Sequence, residues 1–469
     1  MCYSQYPSEG LDLLNKIKNI EVYMGNDNTK ALSGMDMTTG SIPVKILKFS
    51  IPLMLAQILE VLFNMSDVAV VGKFAGPIAL GAVGSTSILV TLFTGILLGL
   101  ASGVNALTAL HIGSKDDEGV KRTVHTAVII CLAGGILITV FGILFSHNIL
   151  ALMNTKDELI DGAVLYLRIY LLGMPALGLY NFGNAVLSAA GDTKRPLYYL
   201  AFAGVVNVIL NLFFVIVCHL GVAGVALASM ISQFISAFLI LRALLTGKEK
   251  YCLRLSEIRF DKRKAAGILK IGIPSAFQYS LFAFANLFVQ SSVNSFDHVL
   301  VEGNSAAANA DPLVYDMMAA FYTACSSFIA QNFGARKKKR ILQTYLICLF
   351  YSFITSLVLG VGIYLARYPF LYLFTSDKAV VEAGITRLSI MALSYGCFHC
   401  CLKRSWKDSC SYFCCCYGIM RISYHLDIYD IRLFPYHPVA LHPICIFLGN
   451  HCNCGEYIFL PCLPPYTDR

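Results

Sequence analysis

Apolar residues run in ten long stretches, near 46–71, 79–110, 124–146, 162–187, 197–218, 222–245, 266–294, 303–333, 342–366 and 381–397. Each approaches or exceeds the roughly 20 residues needed to cross the hydrocarbon of a bilayer. Backbone groups in lipid must be satisfied within their own segment, so each stretch is predicted to be a helix. Basic residues fall in alternate gaps. Lys115, Lys121 and Arg122 follow the second stretch, and Lys194 and Arg195 the fourth. Nine basic residues from Arg242 to Lys270 lie around the gap between the sixth and seventh, and Arg336 to Arg340 follow the eighth. The other gaps hold only Lys73, Lys156, Arg367 and Lys378. The positive-inside rule then predicts a multi-pass membrane protein with its amino terminus and basic loops in the cytoplasm. Residues 1–36 are polar and mixed in charge, with no visible cleavable signal.

The pattern repeats. Ile46-Leu-Lys-Phe-Ser-Ile-Pro52 returns 222 residues later as Ile268-Leu-Lys-Ile-Gly-Ile-Pro274, and Asn64 falls on Asn286. His111-Ile-Gly-Ser-Lys115 falls on Asn332-Phe-Gly-Ala-Arg336, and Tyr166-Leu-Arg168 on Ile385-Thr-Arg387. This period is too long for a solenoid. It is the length of half a transporter, and duplicated bundles usually bind substrate between the copies.

Composition narrows the class. The chain of 469 residues is 57% hydrophobic and 14% charged, with mean hydropathy +0.66. Soluble domains carry about 25% charged residues, so a polar surface cannot be built here. The net charge of +8 is accounted for by the basic loops, and no nucleic-acid partner is expected. No GxxxxGK[ST] loop is present to drive transport by nucleotide hydrolysis. His-Glu-x-x-His, Gly-x-Ser-x-Gly and paired catalytic acids on two helices are missing too, so an enzyme is not expected.

Ionisable residues within membrane segments are functional candidates by default. Asp67 is the sharpest. Glu60, Asn64 and Asp67 stand at i, i+4 and i+7, one face of a helix, and that face should point into the lobe or an aqueous cavity. Asn207 and Asn211 share a face one turn apart. Amide oxygens suit a small hard cation and a carboxylate supplies charge, while low dielectric favours a protonated carboxyl. Na⁺ and H⁺ are therefore both open as coupling ions, and interhelical hydrogen bonding is an equal reading for the two amides. Gln278, Asn286 and Gln290 are further candidates, with Asn64, for a substrate cavity. Pro175 and Pro274 mark expected bends. No cofactor or resident metal is expected.

After about residue 396 the texture changes. Residues 397–469 hold 11 of the 17 cysteines, half of the histidines and six of the 15 prolines. The Cys and His spacings fit no regular zinc pattern. Cys401-Leu-Lys-Arg-Ser-Trp-Lys-Asp-Ser-Cys410 can be encoded so that a one-base shift reads Val-Leu-Lys-Gly-Leu-Gly-Lys-Ile-Leu, aligning with Val186-Leu-Ser-Ala-Ala-Gly-Asp-Thr193. Residues 397–469 are thus read as a frameshifted tail in place of two final helices. Sequencing the gene tests this: a single-base shift should restore two apolar segments.

Several ordered patterns carry a family resemblance over residues 37–396. They are Asn64-Met-Ser-Asp67 with Val71-Gly72; Leu187-Ser-Ala-Ala-Gly-Asp-Thr-Lys-Arg-Pro196; Asn207-Val-Ile-Leu-Asn211-Leu-Phe-Phe; Gly221-Val-Ala-Gly-Val-Ala-Leu-Ala228; Gly303-Asn-Ser-Ala-Ala-Ala-Asn309; and Gln331-Asn-Phe-Gly-Ala-Arg336. In this order the chain resembles bacterial members of the multidrug and toxic compound extrusion (MATE) family. The resemblance implies an all-α integral membrane fold of two homologous six-helix bundles in a V, twelve helices of which about ten are recognisable. It implies an amino-terminal tail (1–42), an amino-terminal lobe (43–247), a basic linker (248–264), an incomplete carboxy-terminal lobe (265–396) and the aberrant tail (397–469). It implies a monomer in the lipid bilayer, exporting lipophilic or cationic drug-like molecules against Na⁺ or H⁺. The implied cation site is Asp67, Asn207, Asn211 and Ser229. Several family members carry Asp where this chain has Asn211, which removes one acid, and Glu60 is the candidate to compensate. A flippase for lipid-linked saccharides is the alternative, and a chain inactivated by its altered tail is a third outcome.

Overall fold

The computed structural model describes residues 34–153, 155–293, 298–375 and 377–389, without the side chains of Pro77 and 281–298. Residues 1–33 of the expected amino-terminal tail (1–42), the end of the expected carboxy-terminal lobe from 390 and the proposed frameshifted tail lie outside the described residues. All regular elements described are helical. They are α1 (Ile42–Val70), α2 (Pro77–Gly113), α3 (Asp117–Leu152), α4 (Asp157–Leu171), α5 (Met174–Ala189), α6 (Lys194–Leu212) and α7 (Gly221–Thr246) in the amino half. The carboxy half holds α8 (Lys262–Val293), α9 (His298–Ala308), α10 (Ala310–Gly334), α11 (Lys338–Leu365), α12 (Arg367–Tyr372) and a helical stretch at 378–389. Among the described residues seven helices are long and apolar enough to cross a membrane, eight if α4 and α5 form one bent span.

The fourth apolar stretch departs from the single helix expected, because α4 and α5 meet at 45°. Pro175 is the second residue of α5 and has no N–H to offer the carbonyl of Leu171. The hydroxyl of Thr139 on α3 donates to that carbonyl at 2.6 Å instead. Pro274, the other expected bend, lies inside α8, whose helix continues through it.

The internal repeat extends to backbone geometry. Lys115 and Arg336, equivalent in the two copies, both take left-handed φ, 57° and 58°. Each is followed by the same closing bond, Asp116 N to His111 O at 3.0 Å and Lys337 N to Asn332 O at 2.9 Å.

The lobes meet through backbone as well as side chains. A Cβ on Gly99 of α2 would lie 2.2 Å from the nitrogen of Ala276 on α8, and one on Gly103 would lie 2.3 Å from the carbonyl oxygen of Ile268. Asn105, buried on α2, accepts from Ser327 Oγ of α10 at 2.9 Å and donates to the carbonyl of Ala185 on α5 at 3.1 Å. Phe49 of α1 sits edge-on to Phe328 of α10, with centroids 5.6 Å apart.

Residues 34–41 form a strap across this same end, although sequence alone assigns them to a tail. Arg340 donates to the carbonyls of Gly40 (2.9 Å), Thr39 (3.0 Å) and Met37 (3.3 Å). Gln331 accepts from Met37 N at 3.2 Å and donates to Ala189 O at 2.7 Å, tying strap and both lobes together. Within the strap, burial of Asp36 opposes ionisation, but the hydroxyls of Thr39 and Thr38 and the Thr38 N–H outweigh it and bring the carboxyl to about 2. These contacts lie in the half that carries the basic loops, the basic end.

Candidate functional site

The site begins with a close approach. Gly204 of α6 lies under Phe63 of α1, where a Cβ would fall 1.8 Å from a ring carbon. Both helices start at the basic end and run parallel, so one turn beyond Phe63 the side chain of Asp67 meets the Asn207–Asn211 face of α6. Both helices then pass into a π-helical turn, Val71–Ala75 after α1 and Phe213–Val217 after α6. These two turns pack against each other. Such widened turns recur at functional sites.

Asp67 Oδ1 accepts from Asn211 Nδ2. Asp67 Oδ2 accepts from Ser229 Oγ of α7 at 3.1 Å. Asn211 uses its second N–H on Asn207 Oδ1 at 3.2 Å, and Asn207 Nδ2 donates to Ser229 Oγ at 3.4 Å. Asn207, Asn211 and Ser229 are buried, and Asp67 is half-buried. Among the described residues no Lys or Arg forms an ion pair with Asp67. The carboxyl is therefore held only by neutral donors.

One atom is left over. Asn211 Oδ1 is buried with no hydrogen-bond partner. An unpaired acceptor of this kind is costly, and it lies on the amide that already touches Asp67. It can accept from a donor or ligate a small cation. A half-turn of the same amide would let it accept from a protonated Asp67, so this side chain can serve either state of the acid.

Tyr166 and Tyr170 of α4 stack with centroids 5.9 Å apart and an interplanar angle of 18°, and both lie within the electrostatic reach of Asp67. Sequence reasoning did not single out these tyrosines.

Glu60 is exposed and makes no hydrogen bond or ion pair among the described residues. Its charge nevertheless reaches Tyr170, Tyr180 and Asp316. Asp316, half-buried on α10, was missed by the sequence reading. The rule that marked Asp67, an acid inside an apolar stretch, applies to it equally. From the Leu53–Phe321 level of the α1–α10 core, Glu60 is seven residues along α1 and Asp316 five residues back along antiparallel α10. Both moves lead away from the basic end. Asn64 is exposed one turn beyond Glu60, and Gln278 is half-buried on α8. Asn286 and Gln290 also fall on α8, but their side chains lie outside the described set. Among the described residues no group of three or more His, Cys, Asp or Glu could hold a metal ion.

Residues 52–213 and 274–403 match the family described as MatE. The chain is 31% identical over 311 residues to "Probable multidrug resistance protein YpnP" of Bacillus subtilis, covering 66% of this chain and 69% of that one. It is 28% identical over 356 residues to "Probable multidrug resistance protein YoeA" of the same organism, covering 74% and 76%. A crystal structure described as MATE in the straight conformation superposes with TM-score 0.74 at 22% identity, over 85% of each chain. That likeness shows the fold.

Proposed function

We propose, from the premise that this chain belongs to the multidrug and toxic compound extrusion family, that it is a cation-coupled antiporter exporting lipophilic or cationic drug-like molecules. The observation that carries this reading is the Asp67 shell: a carboxyl held by Asn211 and Ser229, with a spare buried oxygen beside it and no Lys or Arg paired with it among the described residues. Such a shell can take up H⁺ or Na⁺ and release it again, because the neutral donors remain in either state. The basic end is the cytoplasmic end of a monomer in a bacterial plasma membrane, in keeping with the positive-inside rule.

Glu60 and Asp316 line the opening between the lobes and attract cationic substrates. That acidic lining favours drug export over a flippase for lipid-linked saccharides, whose phosphates call for cationic residues. The protein is a transporter, not an enzyme.

The test is resistance. Expressed in an efflux-deficient bacterium, the chain should raise tolerance of lipophilic cations, and Asp67→Asn at equal membrane abundance should abolish the gain. Undiminished resistance in that variant would remove Asp67 from the mechanism. Removing Na⁺ at fixed pH then identifies the coupling ion: transport that persists runs on protons.

A further inference from the structure

The segment that joins the two lobes is fastened to the flank of α3. With Nδ1 donating to Lys121 O at 2.7 Å, His125 Nε2 accepts from Arg254 N at 3.1 Å. Thr126 Oγ1 accepts from Asp261 N at 3.1 Å and donates to Arg259 O at 3.4 Å. Lys121 pairs with Glu257, and Arg122 Nη1 lies 3.9 Å from Asp261 Oδ2. Residues 254–261 therefore run across the 121–126 turn of α3, and His125 and Thr126 are buried beneath them.

That turn belongs to a face of α3 that is exposed further along. Ile136 and Leu137 lie eleven residues beyond His125 and Thr126, about three turns, and so share their face. Both are exposed, and Val140 and Leu144 continue the same apolar stripe toward lipid. Along the helix axis, 121–126 straddles residue 124, where the apolar stretch of α3 begins. The segment thus covers the lipid-facing side of α3 at the depth where hydrocarbon gives way to headgroups.

Its own side chains divide accordingly. Tyr251 and Leu253 just before it are buried, and Ile258 packs against the same core. Leu255 and Phe260 are instead 68% and 54% exposed, and Arg254, Arg259, Lys262 and Arg263 are exposed around them. The acids Glu257 and Asp261 are met by Lys121 and Arg122. Among the described residues no ion pair engages the side chains of Arg259, Lys262 or Arg263. Apolar side chains set within a surplus of free cations are what seat a segment at a negatively charged membrane surface.

We propose that this linker is an anionic-lipid binding surface: Leu255 and Phe260 sit among the acyl chains, and Arg259, Lys262 and Arg263 bind the phosphates of anionic phospholipid. Their long stems let the charges reach the headgroups while the carbons lie in the apolar zone. A zwitterionic lipid offers the same chains and the same phosphate, but its own ammonium competes for that phosphate. The preference is therefore for the anionic headgroup. Because α8 starts at Lys262, lipid held here is held at the entry to the carboxy-terminal lobe.

The surface is independent of what the protein transports, so its test is a binding measurement. Trp406 is the only tryptophan of the chain. In the full chain carrying Trp406→Phe, Phe260→Trp supplies a reporter within the segment. The protein is reconstituted in vesicles of equal parts phosphatidylcholine and phosphatidylglycerol, with bromine on the acyl chains of one lipid or the other, so that surface charge is the same in both. Brominated phosphatidylglycerol should quench the tryptophan about twofold more than brominated phosphatidylcholine. Adding Arg259→Gln, Lys262→Gln and Arg263→Gln should make the two equal. Absence of quenching by either lipid would place the segment away from the bilayer and overturn the proposal. Equal quenching before those three residues are changed overturns it as well, as does a preference that survives their loss. Should Phe260→Trp fail to fold, Leu255→Trp reports from the same surface and is read by the same outcomes.

Discussion

Asp67 and Asp311 are two carboxyl groups set among membrane-length helices, and their neighbours divide them. Asp67 is held by an amide and a hydroxyl; Asp311 is held by the guanidinium of Arg387. The first arrangement uses neutral donors and the second a charged one. The two lobes share an ancestor visible down to the matched left-handed residues Lys115 and Arg336. They nevertheless do not share these acids. A duplicated fold preserves helix lengths and turns more readily than it preserves the charge on any one helix face.

That contrast can be broken at several points. The largest effect is expected from Gly204→Val, which forces α6 away from Phe63 and opens the Asp67 shell. Overpacking of this kind costs about 1–3 kcal/mol, and ion-driven transport should be lost while drug binding in the cleft persists, as read by fluorescence quenching of a bound dye. Retained ion coupling would show that the close approach is not what builds the site. Next is Asn211→Asp, which puts a second acid beside Asp67 and removes a donor from it. The count of ions per drug cation should rise by one. Ser229→Ala is gentler: it removes one hydrogen bond to Asp67, worth about 1.5 kcal/mol for a charged acceptor, or roughly a tenfold weaker ion affinity, visible as a shifted half-saturation for the coupling ion. Smallest is Arg168→Gln. An exposed arginine without an acid should change stability by less than about 0.5 kcal/mol and leave the ion count alone.

Much of the frame was legible because it is written in long-range periodicity. Apolar runs of membrane length located the helices, and the 222-residue echo revealed two copies. Glu60, Asn64 and Asp67 could be grouped by helical spacing, as could Asn207 and Asn211, since residues at those intervals share a face in any α-helix. That Phe63 nests on Gly204, and so sets Asp67 against α6, depends on how two helices pack and leaves no local mark. The Asp311–Arg387 pair was missed for the same reason: 76 residues separate its members, and only the fold makes them neighbours. The 45° bend after Leu171 hinged on whether another helix would take up a freed carbonyl, and Thr139 does so. The strap at 34–41 reads as an ordinary polar tail until the carbonyls gripped by Arg340 come into view.

The glycine seam between α2 and α8 has a mechanical consequence. Backbone rests on backbone at Gly99 and Gly103. A joint of that kind resists being pried apart more than it resists turning, as a bearing does. It also sits toward one end of long rigid rods: from Gly99 to Pro77 is 22 residues, about 33 Å of helix. A few degrees of rotation at the bearing becomes several ångströms at the far mouth. A single added methyl at Gly99, 2.2 Å from the backbone nitrogen of Ala276, would act as a wedge, forcing the seam open where it is inserted and moving the far mouth further still.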